Sequence, residues 1–140
     1  MITSTESPQA ALDRLVDEHF AAEVHQDLDT LLATFADDVE HDVVGSGTVS
    51  HGKPQVEAFY RSLLADLSFE SIESVRRYHG TGFVIDESIV HARAVGRPLG
   101  FEGRDRPVTF RILHVFDIDD GRIQRENAWL DTAAVLAQLG

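Results

Sequence analysis

Three side chains able to move protons stand in a row in VEHDVVGSG, Val39–Gly47: Glu40, His41 and Asp42. The valines around them mark a strand, and strand alternation puts Glu40 and Asp42 on one face with His41 on the other. Two carboxylates sharing a face raise one another's pKa, which suits proton abstraction. A second arrangement comes from the last two predicted strands, PVTFRILHVFDI and RIQRENAWL, joined through Asp119, Asp120 and Gly121. Read as a type I turn closed by a glycine bulge, this loop makes Phe116 oppose Gln124, His114 oppose Glu126, Ile112 oppose Ala128 and Phe110 oppose Leu130. Opposed residues share a face, and the apolar partners make it the inner one. A carboxylate beside an imidazole fixes its tautomer and stabilises its charged form, so His114 with Glu126 could donate a proton to a developing oxyanion. His19 and Glu23 fall in the middle of the apolar face of the first predicted helix, with either His19 or Phe20 as the inward residue depending on helix rotation.

These groups need a scaffold. Ser7–Pro8 is a cap followed by a first-turn proline, and Leu12, Leu15, Val16, Phe20 and Val24 continue at helical spacing. DLDTLLATFADD reads as a short second helix begun by Asp27 or Asp29. Gly52, Lys53 and Pro54 open a third, with Val56, Phe59, Tyr60, Leu63, Leu64 and Leu67 as its apolar face. From Phe69 the pattern becomes β, in FESIESVRRYH, FVIDESIVHARAV and the two strands above, and Asp131 caps a closing helix. Helices followed by antiparallel strands predict an α+β domain with helices on one face of a sheet. The other face, with Leu113, Val115 and Trp129, is too apolar for plain solvent, and a second subunit is expected to cover it.

The chain of 140 residues is read as a single domain, 1–140. A net charge of -12 with one lysine leaves no basic stripe for phosphates, so nucleic acid is not an expected partner. Without cysteine there is neither a disulfide framework nor a thiolate zinc site. MITSTESPQAALD has no cationic segment or apolar run, and no stretch approaches the roughly 18 apolar residues of a span, so no membrane is expected and the reading is cytoplasmic. No HxH or HExxH spacing supports a metal site.

Taken together, DLDTLLATFADDVEHDVVG followed by HGKPQVEAFY, then HVFDIDDGRI and WLDTAAVLAQLG, resemble the nuclear transport factor 2-like (NTF2-like) superfamily over most of the chain, particularly its SnoaL-like polyketide cyclase and ketosteroid isomerase branches. The resemblance implies a cone-shaped barrel of helices wrapped by a curved antiparallel sheet enclosing a deep pocket. It also implies a homodimer through the sheet and no metal or cofactor. In ketosteroid isomerases a strand reading acidic-Asp-Pro-Val-Gly carries the general base, and VEHDVVG places Asp42 there with valine for proline; Asp42 and Glu40 then face inward and His41 outward. The isomerases' first-helix tyrosine falls nearest His19. Their oxyanion-binding aspartate falls at His114 with one residue gapped in the turn.

The cyclases' last-strand aspartate meets Ala128 or its neighbours. Epoxide-opening members use paired carboxylates, here Asp42 with Glu126 or Glu40. The expected catalytic set is therefore Asp42, His114, Glu126 and His19. The expected substrate-binding lining is Phe20, Glu40, Val44, Tyr60, Ala92, Ala94, Phe110, Ile112, Phe116 and Ala128. The implied function is cofactor-free acid–base chemistry on a small apolar carbonyl compound, by isomerisation, aldol-type cyclisation or dehydration. Epoxide hydrolysis or epoxide-opening cyclisation is an alternative, as is a non-catalytic ligand-binding or dimerisation module.

Overall fold

The computed structural model describes residues 6–140. Helix α1, Pro8–Val24, starts where the sequence places its cap, the Ser7 hydroxyl accepting from the Ala10 N–H at 3.1 Å. Helix α2, Leu28–Ala33, is capped by Asp27, whose carboxylate accepts from the Thr30 N–H and hydroxyl. Strand β1, Phe35–Val43, follows at once and pairs antiparallel with a short β2, Thr48–His51. Helix α3, Gly52–Asp66, leads into β3, Leu67–Gly80, then β4, Phe83–Ala94, β5, Arg106–Asp119, and β6, Arg122–Leu130; α4, Thr132–Leu139, closes the described chain under an Asp131 cap. The expected α+β architecture is present. The six strands form one unclosed sheet in the order β2-β1-β6-β5-β4-β3. It is mixed rather than wholly antiparallel, because β1 runs parallel to β6. Bulges in the β1–β6, β3–β4 and β5–β6 pairings bend it around the helices.

The core falls into two apolar clusters. One gathers Val16, Leu31, Phe35, Val39, Val56, Tyr60, Val84, Phe116 and Ile123 between α1, α2, α3 and the middle of the sheet. The other gathers Leu67, Phe69, Val90, Ala92, Ala94, Val108, Phe110, Val135 and Leu139 under α4. No helix of the described residues is long and apolar enough to cross a membrane.

Two register expectations need correction. The β5–β6 turn has two residues, Asp120 (φ 51°) and Gly121 (φ 69°), flanked by the Asp119–Arg122 pair, the left-handed geometry of a type I′ hairpin. A bulge then places Asp117 opposite Arg125, so Phe116 opposes Glu126, His114 opposes Ala128 and Ile112 opposes Leu130. The displacement is two residues, so every side chain keeps its expected face. Strand β1 differs more. Phe35 and Val39 are fully buried, and alternation from Val39 carries His41 inward, while Glu40 and Asp42 turn to the opposite face. Glu40 there pairs with Arg125 and His51, and Asp42 lies in register between Val49 and Asn127.

Candidate active site

Glu126, expected on the inner face, is the hub. In the parallel β1–β6 pairing it stands opposite His41, which brings their side chains together. Glu126 Oε2 lies 3.0 Å from His41 Nε2 and accepts from the Tyr60 hydroxyl at 3.4 Å; His114 Nε2 stands off at 3.9 Å. Glu126 Oε1 lies 3.0 Å from Nε2 of His19, and Glu23 Oε1 lies 3.1 Å from the same nitrogen. Burial opposes ionisation of Glu126, but its pairing with His41 and His19 outweighs it and holds the carboxyl well below its ordinary value.

The protonation of His19 can be read from its partners. The Thr34 hydroxyl donates to the Leu31 carbonyl at 2.6 Å, so towards His19 Nδ1, 3.0 Å away, it acts as acceptor, and Nδ1 carries a proton. Nε2 faces two carboxylates and carries the other. Burial works against this charge, yet Glu126 and Glu23 raise His19 to about 10, so at neutral pH it is an imidazolium. With both nitrogens protonated it has no lone pair for a metal, and among the described residues no cluster of metal-binding geometry occurs.

In front of this ion pair lies a cavity of about 600 Å³. Its polar region is His41, Tyr60, His114, Glu126 and Glu23. Its walls include Phe59, Leu63, Phe69, Val90, Phe110 and Ile112, with Ser46, Thr48 and Ser50 from the β1–β2 hairpin. Tyr60 is pushed well above its ordinary value by burial and by the negative charge of Glu126, so it remains a donor. His114 stacks on Phe116, ring centroids 5.3 Å apart, and burial lowers its pKa, which keeps it neutral. Both His41 and His114 have a buried Nδ1 with no partner among the described residues.

Of the expected site residues, His114, Glu126, Tyr60, Phe110, Ile112 and Ala128 line this cavity, and His19 stands directly behind Glu126. Phe20 and Phe116 are buried as packing for His19 and His114 and do not line it. Ala92 and Ala94 are absorbed into the core under α4, and Val44 is 37% exposed beyond the end of β1. Asp42 and Glu40 are on the other face. The residue that sequence reasoning leaves out is His41. Its signal is present, because Val39, His41 and Val43 form the more apolar alternating set.

This geometry sits in a recognisable frame. A match to the SnoaL-like domain family spans residues 16–126. The chain belongs to the SnoaL-like domain family. Solved structures agree on the fold of this SnoaL-like domain. A candidate polyketide cyclase from Xanthomonas campestris pv. campestris superposes with a TM-score of 0.83 at 21% identity, covering 96% of this chain and 100% of that one. A candidate SnoaL-like polyketide cyclase from Shewanella putrefaciens CN-32 gives 0.82 at 17% identity over 96% and 98%. An LEH-like epoxide hydrolase from M. tuberculosis gives 0.77 at 22% identity over 96% and 89%. A comparison with curated proteins finds no match.

Proposed function

We propose that this SnoaL-like domain is an acid–base enzyme, needing no cofactor, that acts on a small, mostly apolar carbonyl compound. The observation that carries the reading is His41, an imidazole on the cavity wall whose Nε2 is held by an ionised glutamate while its Nδ1 has no protein partner. Glu126 only accepts, so the proton of neutral His41 resides on Nε2 and the lone pair on Nδ1. Nδ1 is then the base that removes a proton from the carbon next to the substrate carbonyl, and Glu126 stabilises the imidazolium that forms. The electron pair moves onto the carbonyl oxygen, which accepts from the N–H of neutral His114. Return of the proton to a different carbon completes an isomerisation; loss of a β-hydroxyl as water completes a dehydration; attack of the enolate on a second carbonyl closes a ring.

One assay covers all three outcomes, because each begins with the same proton abstraction. The wild type is expected to catalyse incorporation of solvent deuterium next to the carbonyl of some members of a panel of cyclic and aromatic ketones, read by NMR. His41→Asn is expected to lower that rate by about 10²–10⁴-fold, the usual weight of one positioned proton-transfer group. An unchanged rate in the variant would remove His41 as the base.

Epoxide opening has its own support: Glu23 and Glu126, two carboxylates of the kind that take a proton from attacking water, both border the cavity. Outside the sheet, Leu113 and Trp129 are 38% and 41% exposed beside a recess of about 330 Å³, and we assign this face to a second copy of the chain. Light scattering in solution is expected to return twice the 15.5 kDa chain mass.

A further inference from the structure

Glu23 is placed at a cost that holding His19 does not explain. It sits one residue from the end of α1, the negative end of the helix dipole, and no basic residue stands in that last turn. It is 6% exposed. Its carboxylate has one partner among the described residues, His19 Nε2, and Glu126 already answers that nitrogen from 3.0 Å. One imidazolium thus faces two carboxylates. Glu23 also borders the cavity, so its unanswered acceptor capacity opens onto the space a ligand would occupy.

The remaining lining sharpens the point. Its acidic side chains are Glu23, Asp66 and Glu126, and it contains neither lysine nor arginine. A ligand carboxylate or phosphate would find no lysine or arginine there to pair with, and would be repelled by the lining carboxylates. The whole chain, at -12, attracts cations and repels anions at longer range.

We propose that the cavity takes an apolar molecule bearing a protonated amine, and that the ammonium group docks on the free side of the Glu23 carboxylate, donating a charge-assisted hydrogen bond. This deepens the reading of the cavity as a substrate site by naming a class: a basic amine attached to an apolar body. The aromatic and aliphatic walls take the body, and the amine supplies the positive charge that Glu23 lacks.

The experiment is equilibrium binding by calorimetry at neutral pH with three probes of matched body: phenylbutylamine, phenylbutanol and phenylbutyrate. In the wild type the amine is expected to bind about tenfold or more tighter than the alcohol, and the acid weakest, in line with the greater strength of charge-assisted hydrogen bonds. In Glu23→Gln, which keeps the shape, amine and alcohol are expected to differ by less than about threefold. Circular dichroism of the variant checks that it is folded, and the wild-type ranking stands as a test without it. Equal affinity of amine and alcohol in the wild type, or a preference that survives in Glu23→Gln, overturns the ammonium assignment and leaves the acid–base reading intact. If none of the three binds, both the assignment and the cavity's role as a substrate site fall.

Discussion

The molecule builds two ionic networks, each around a buried carboxylate, and they are finished differently. The first ties α1 to β3 and β4. The Arg77 guanidinium donates to Asp86 at 2.8 Å, to Asp13 and Asp17 at 2.9 Å and to Ser74 at 3.1 Å. Asp86, wholly buried, also accepts from the hydroxyls of Ser74 and Ser88, while His79 pairs with Asp13. Asp86 is thus met on both oxygens, and the fork of Arg77 is filled by oxygens in the geometry that suits it. The second network, His19–Glu126–His41 with Glu23, Tyr60 and His114, leaves ring nitrogens of His41 and His114 without partners among the described residues, and Glu23 with spare capacity. A network that satisfies its own members is a strut. One that leaves buried polar atoms unpartnered beside a cavity is built to be completed by something else.

Removing the hub of the second network tests that distinction most severely. Glu126→Gln takes away the charge that stabilises protonated His41 and His19, and deuterium incorporation into a reactive ketone is expected to drop by about 10²–10⁴-fold. The same variant has a pH signature. His19, raised from 6.5 to about 10, contributes stability that is complete below pH 6.5 and disappears as pH climbs through about 10. Glu126, held below 4.5, contributes stability that is complete above pH 4.5 and disappears as pH falls through its lowered value. These are two views of one interaction. The difference in unfolding free energy between wild type and Glu126→Gln is therefore expected to be largest between about pH 4.5 and 6.5 and to shrink towards pH 10. A difference flat from pH 6 to 10 in urea denaturation would show that His19 is not held charged by Glu126.

Breaking the strut should give the converse result. Arg77→Met strips Asp86 of its cation and leaves a buried carboxylate with two hydroxyls. The expected loss is about 3–5 kcal/mol of unfolding free energy, the range for orphaning one member of a buried pair. Deuterium incorporation per folded molecule should stay within about twofold, a loss far smaller than one proton-transfer group is worth. If activity collapsed while stability held, the roles assigned to the two networks would have to be exchanged.

The fold is legible because its signals are local. The Ser7–Pro8 start, the Asp27 and Asp131 caps and the strand periods from Phe69 onward each act over a few residues and survive into the structure. The inner-face placement of His114 and Glu126 survives for a subtler reason, since the two-residue turn shifts the register by two and two is the strand period. What is not legible is the parallel β1–β6 pairing, which depends on contacts some 85 residues apart and no local pattern reports. That pairing sets His41 against Glu126. The short β2, four residues with a single buried side chain, carries too little apolar pattern to announce itself.

The face of β1 shows where a family motif and a strand's own chemistry point in opposite directions. Orienting Asp42 inward requires Glu40 inward too, placing two carboxylates against the core while Val39 and His41 turn out. The structure takes the alternative that costs less desolvation: Val39 and His41 inside, Glu40 outside on Arg125. The consequence is the smallest effect of the series and a sharp one. Asp42→Asn is expected to leave deuterium incorporation within about twofold of wild type, where loss of a general base would cost about 10²–10⁴-fold. The substitution changes a half-buried side chain on the face away from the cavity, so stability should move by no more than about 0.5 kcal/mol. A large loss of activity in Asp42→Asn, with His41→Asn still active, would return the base to Asp42 and require β1 to present its other face to the substrate.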